Sequence, residues 1–156
     1  MPNKPNQTLT AIDGFRVGHA HNLDGPTGCT VVMCPPETVG GVDQRGGAPG
    51  TRETDLLRPL HMVEHVNAIL LTGGSAYGLE AASGVMRYLE AQHIGHQTSV
   101  GVVPIVPGAV IFDLDVGDPH IRPDANMGTA ACTAASSDPV PEGCVGVGAG
   151  ARVGGL

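Results

Sequence analysis

The sequence predicts an α/β fold, and three observations predict it. Residues 68–71, Ala-Ile-Leu-Leu, form a short apolar run without polar alternation, the pattern of a strand covered on both faces. Thr72, Gly73 and Gly74 break the run, and Ser75 stands where a helix N-cap would. Leu79, Ala82, Val85, Met86 and Leu89 then recur at helical spacing, with Glu80, Arg87 and Glu90 on the other side and Gly95 as the stop. Residues 67–92 therefore read as a buried strand, a glycine turn and an amphipathic helix. A helix that starts at such a corner aims unpaired backbone N–H groups at the space beside Gly73 to Gly78. That space suits an anion or the oxyanion of an acyl-transfer intermediate. A plain strand-to-helix connection has the same sequence, so both readings stand.

The other elements follow in order. Residues 1–8 are expected to form a flexible tail. Residues 9–17 predict a first strand and turn, with Asp13 and Gly14 at the turn. Residues 27–33, TGCTVVM, read as a strand that Pro35 and Pro36 close, and residues 39–43 as another. Residues 45–55 combine a glycine-rich loop with Arg45, Arg52, Glu53 and Asp55. Such a loop can bind a carboxylate, or pair its own charges at the surface. No Gly-Lys-Ser/Thr follows, so it is not a phosphate-binding loop. Thr54 is expected to cap a short helix to Asn67, interrupted near Pro59. Residues 98–106 read as a buried strand made irregular by Pro104, residues 110–114 as another, and residues 115–124 as a loop. Residues 126–137, rich in alanine, suit a close-packed helix. The glycines of residues 143–155 predict a strand whose backbone others approach closely. Gly146, Gly148 and Gly150 approximate a dinucleotide fingerprint, but no long amphipathic helix or later acidic residue accompanies them, which argues against such a site.

Composition narrows the function. The 156 residues suffice for one domain with a real core. A net charge of -7 disfavours non-specific nucleic-acid binding, and two Tyr, two Phe and no Trp leave little surface for stacking bases. No apolar stretch reaches membrane-span length and the N-terminus lacks a signal-peptide core, so a cytoplasmic protein is expected. Cys29, Cys34, Cys132 and Cys144 form no CxxC pair and read as small buried hydrophobes. Residues 61–65, His-Met-Val-Glu-His, match the H-x-x-E-H signature. On a helix His61 and His65 would share a face and could clamp zinc, with Glu53, Glu80 or His93 as a third ligand. The alternative, two ordinary surface histidines, is the one we adopt: no metal and no cofactor are expected. His19 and His21 alternate on a strand or turn and receive no role.

Residues 40–57, GGVDQRGGAPGTRETDLL, and 71–79, LTGGSAYGL, closely resemble a known family. So do residues 103–114, VPIVPGAVIFDL, then Arg122, Pro123 and Asp124, then Val145, Gly146, Gly148, Gly150 and Ala151. The family is the DmpA-like one: L-aminopeptidase/D-amidase/esterases, β-aminopeptidases and nylon-oligomer hydrolases. The resemblance implies a DmpA/ArgJ-like αββα sandwich, two sheets between helix layers, of the self-processing N-terminal-nucleophile type and incomplete in this chain. It implies a precursor that cleaves itself and exposes a Ser or Thr whose own amine helps as base. In the family that residue lies some tens of residues beyond the Val145-Gly146 motif, whereas this chain ends at Leu156. Residues 9–156 are thus expected to be the N-terminal part of a single hydrolase domain.

The resemblance also implies partners and site residues. The substrate is expected to be a small peptide or amino-acid amide, and the missing C-terminal fragment carries the nucleophile. A homo-oligomer is expected, with no nucleic-acid or membrane partner. Tyr77 matches a tyrosine at the family's catalytic site, where its phenol can hydrogen-bond the nucleophile or substrate. Cys144 stands where members commonly place an oxyanion-stabilising Asn, and a thiol is a weak donor. Glu53, Asp55 and Asp113 are equal candidates to meet a substrate ammonium. Lys4, the single lysine, does not match the catalytic lysine of part of the family. The expected function is that of a self-processing aminopeptidase or amidase. The alternative is a truncated, non-catalytic relative acting as an oligomeric scaffold or binding module.

Overall fold

The computed structural model describes residues 5–154. Its strands are β1 (Arg16–Asn22), β2 (Thr27–Met33), β3 (Thr51–Arg52), β4 (Ala68–Thr72), β5 (His96–Thr98), β6 (Gly101–Val103) and β7 (Gly108–Val110). Two α-helices, α1 (Ala81–Glu90) and α2 (Ala125–Thr133), accompany them among the described residues. The main sheet runs β1-β2-β4-β7-β3, and β5 pairs with β6 in a separate hairpin. β1, β2 and β4 are antiparallel neighbours, β4 and β7 are parallel, and β3 closes the edge antiparallel to β7. A parallel pair needs a long crossover, and α1 lies in it.

Both helices cover one face of the sheet. Cys29, Val31 and Met33 of β2 and Ala68 and Leu70 of β4 point to that face. There they pack with Ala82, Val85 and Leu89 of α1 and Ala131 and Cys132 of α2. Small residues let the helices touch. A Cβ on Gly84 would collide with the Ala125 carbonyl, and one on Gly128 with that of Ala81. Asp124 caps α2 by accepting the Met127 N–H at 2.8 Å. Ile69 and Leu71 face the other way, and Leu71 is 40% exposed. β4 is therefore covered on one face, which corrects the reading of two. The apolar run concealed a period of two because its second face is apolar as well.

Several elements fall elsewhere than expected. The segment before β1 opens with a 3-10 turn, Leu9–Ala11, and the strand begins only after the turn at Gly14 (φ 84°). Residues 1–4 of the expected tail lie outside the described residues. Thr8 is tied down: its hydroxyl accepts the Val140 N–H at 3.0 Å. Residues 39–43 make a single bridge, Val39 to His65, in place of a strand. The expected helix from Thr54 is a 3-10 turn, Thr54–Leu57, with no side-chain cap. Residues 98–106 split into the exposed hairpin β5–β6 and a buried extended stretch, because Pro104 and Pro107 cannot donate to a ladder. The helix α1 stops before Gly95: His93 takes the left-handed conformation (φ 58°) and the Ile94 N–H returns to the Leu89 carbonyl.

Candidate active site

β4 ends at Thr72, and Gly73 and Gly74 turn the chain into the 3-10 helix Ser75–Glu80, which carries Tyr77. Gly74 (φ 79°) and Ser75 (φ 52°) are both left-handed, so the corner is sharp. Glycine adopts that conformation freely, whereas serine pays strain for it. Three backbone donors of the corner are used within the fold. Gly73 donates to the Gly28 carbonyl at 2.8 Å and Ser75 to that of Ile111 at 3.0 Å. Gly74 donates to Asp113 Oδ1 at 2.6 Å. These three N–H groups are therefore not available to an anion or oxyanion, and at these positions the corner matches the plain strand-to-helix connection, the alternative kept open for it. Ser75 is not a side-chain cap either, and the α-helix starts only at Ala81.

Asp113, just after β7, is 4% exposed. Its Oδ2 accepts the Thr27 hydroxyl at 2.7 Å. A Cβ on Gly73 or on Gly150 would collide with this carboxylate. Asp113 therefore joins the corner of Tyr77 to the end of the segment that carries Cys144. With each oxygen bonded within the fold and the group buried, it does not face the surface beside Tyr77 as a free carboxylate. Glu53 accepts the Val106 N–H at 3.0 Å, and Asp55 pairs with Arg58 at 3.0 Å on the surface. None of the three candidates is a free carboxylate beside Tyr77.

Tyr77 is 60% exposed. The guanidinium carbon of Arg122 lies over its ring, 3.7 Å from the centroid. Arg122 Nε donates to the Pro119 carbonyl, and fully buried Pro123 packs against Gly74. The sequence reading placed Arg122 in a family motif but gave it no role.

Cys144 is exposed and precedes the 3-10 turn Gly146–Ala149, which replaces the strand expected over residues 143–155. The turn rests on β1 and β2, on the face opposite the helices. Val147 donates to Thr30 Oγ1 at 3.1 Å and Gly146 to His21 Nδ1 at 3.3 Å. Thr30 Oγ1 also lies 2.9 Å from His19 Nδ1. Thr30 Oγ1 thus stands between the Val147 N–H and the imidazole of His19, whose other ring nitrogen is Nε2. That Nε2 is buried without a partner among the described residues. Burial, with the neighbouring His21 second, holds the His19 pKa below its ordinary value. The sequence reading missed this support for Cys144, and the His-x-His alternation was the signal that could have found it.

The remaining candidates lie apart from this arrangement. Arg45 pairs with Asp43 at 2.7 Å on the surface, and Arg52 reaches Met86 Sδ of α1 at 3.0 Å. His61 and His65 are exposed on irregular chain and share no helical face. No three His, Cys, Asp or Glu come together as a metal site among the described residues. Burial pushes the thiols of Cys29 and Cys132 up to about 12 and that of Cys34 to about 11. Those three are unreactive at neutral pH.

Comparisons with known proteins give this geometry a context. The model of Peptidase family S58 matches residues 7–156. An uncharacterized aminopeptidase of Mycobacterium tuberculosis is 57% identical over 157 residues, covering 96% of this chain and 45% of its own. A 6-aminohexanoate-oligomer endohydrolase of Paenarthrobacter ureafaciens is 37% identical over 141 residues, covering 90% and 37%. The chain thus spans less than half the length of these relatives. Among solved structures, the L-aminopeptidase D-Ala-esterase/amidase of Ochrobactrum anthropi is described as a new variant of the Ntn hydrolase fold. It matches with a TM-score of 0.76 at 19% identity, over 94% of this chain and 44% of that one. That likeness shows the fold, of which the present chain supplies a sheet and one helix layer. By the family match and the identity with these relatives, the chain belongs to peptidase family S58, the DmpA family.

Proposed function

We propose that this chain is the N-terminal part of a self-processing aminopeptidase or amidase. The enzyme hydrolyses the N-terminal amide bond of peptides or amino-acid amides through an acyl-enzyme. The nucleophile is a Ser or Thr beyond this chain, freed by self-cleavage. The observation that carries the reading is the family match across residues 7–156. Tyr77 supports it. The phenol is accessible, its ring is clamped by Arg122, and it follows the C-terminal end of a strand in the parallel pair. It is suited to hydrogen-bond the nucleophile or substrate. Cys144 occupies the oxyanion position with a weak donor. The half-open apolar face at Ile69 and Leu71 offers the downstream fragment a surface to bury. The reading entails a cytoplasmic homo-oligomer that uses no cofactor.

The test is intact-mass analysis of the full-length protein, followed by assay on an amino-acid p-nitroanilide. Two fragments, the second beginning with Ser or Thr, together with hydrolysis, support the proposal. A single unprocessed polypeptide that hydrolyses nothing overturns it. Cys144 favours one other reading, a non-catalytic oligomeric scaffold, and an unprocessed, inactive oligomer is what that reading expects.

A further inference from the structure

We infer that Arg122 is a specificity-determining residue beside Tyr77, and that it receives a carboxylate of the substrate. The inference rests on the hydrolase reading above and names the substrate class of the same site. Arg122 is half-buried, with one face of its guanidinium on the Tyr77 ring at 3.7 Å. Its Nε is taken by the Pro119 carbonyl. Its two terminal nitrogens have no hydrogen-bond partner among the described residues, and no carboxylate lies within ion-pair distance. Arg45, Arg58 and Arg152 each hold an aspartate, while Arg52 and Arg87, which like Arg122 have no ion pair among the described residues, turn to α1 and lie away from Tyr77's ring. In a chain of net charge -7, a partly desolvated arginine left without a counter-charge is an open position for an anion.

The chemistry narrows the anion. Stacking occupies the face of a guanidinium and leaves its in-plane donors at the edge, a fork that fits a carboxylate in bidentate fashion. The fork is also held in place. Pro123 restricts the backbone of Arg122 to extended conformations, and its own ring is buried against Gly74. A ring stack and a backbone acceptor fix the rest of the side chain. Arg122 is thus pre-aimed beside the Tyr77 phenol, as a group that selects between substrates must be. A peptide with a free C-terminal carboxylate supplies the anion, and its C-terminal amide does not.

The experiment uses the full-length protein and a matched pair: a dipeptide with a free carboxylate and the same dipeptide as its amide. Wild-type enzyme is expected to prefer the free acid in kcat/KM by about 10-fold or more, mainly through KM. Arg122→Gln is expected to bring the ratio close to one, and Arg122→Lys, which keeps charge without the fork, to leave it intermediate. A wild-type ratio near one overturns the inference without any variant. So does an Arg122→Gln enzyme that loses activity equally on both substrates, since that is the mark of a residue that only steadies Tyr77. An enzyme that hydrolyses the p-nitroanilide but neither dipeptide overturns this inference and leaves the hydrolase reading standing, whereas one that hydrolyses none of the three removes both.

Discussion

Asp113 Oδ1 accepts the Gly74 N–H at 2.6 Å, so the corner that presents Tyr77 hangs on a carboxylate just past the neighbouring parallel strand β7. Both oxygens are engaged and the group is buried, so its removal strands a buried N–H and the Thr27 hydroxyl together. Asp113→Ala should destabilise the full-length protein by about 2–4 kcal/mol in urea denaturation. Asp113→Asn should cost less, about 1 kcal/mol, because its carbonyl keeps Gly74 while its amide donates to Thr27 Oγ1. Equal losses for the two variants would show that charge, not the hydrogen-bond pattern, holds the corner.

The elements legible in the sequence were those with both a clear period and clear ends. Thr27–Met33 is bounded by prolines, and the strand-corner-helix unit is bounded by glycines, so both lie close to where they were expected. Where proline and local polar pairing compete with hydrophobic pattern, the reading failed. Residues 98–106 look like one buried strand, yet Thr98 Oγ1 bonds to Gly101 and turns the chain back on itself. The H-x-x-E-H motif lost its meaning because residues 61–65 form no helix, so His61 and His65 share no face. Tyr77 and Cys144 were reachable through family motifs. Arg122 lay in a family motif and the His-x-His alternation was visible, but the roles of Arg122, Thr30 and the two histidines come from contacts between segments far apart in the chain, which no local pattern specifies.

His19 makes stability depend on pH. Its folded pKa is lowered, by burial first and by His21 second, so the fold favours the neutral ring. Above the unfolded value of about 6.5 both states are neutral and the full stability is present. As pH falls below that value the unfolded chain takes up the proton first, so stability declines until the lower folded pKa is passed. The melting temperature should therefore drop between pH 7 and pH 5, and His19→Asn should flatten that drop. An identical pH profile in the variant would remove His19 as the cause.

Cys144 lies exposed just before a turn whose first two residues, Gly146 and Val147, donate their N–H groups to His21 of β1 and Thr30 of β2. Those two donors are thus committed to the sheet, and the side chain at position 144 is the adjustable element of the segment. If it faces the developing oxyanion, a thiol wastes the position, because it donates weakly where an amide N–H would donate well. Cys144→Asn in the full-length enzyme should then raise kcat by about 10-fold, with KM little changed, since the gain arises in the transition state. The exposed site admits the small polar side chain without repacking. An unchanged or lower kcat in a variant that folds and processes normally would mean that other donors hold the oxyanion and that position 144 has left the catalytic machinery.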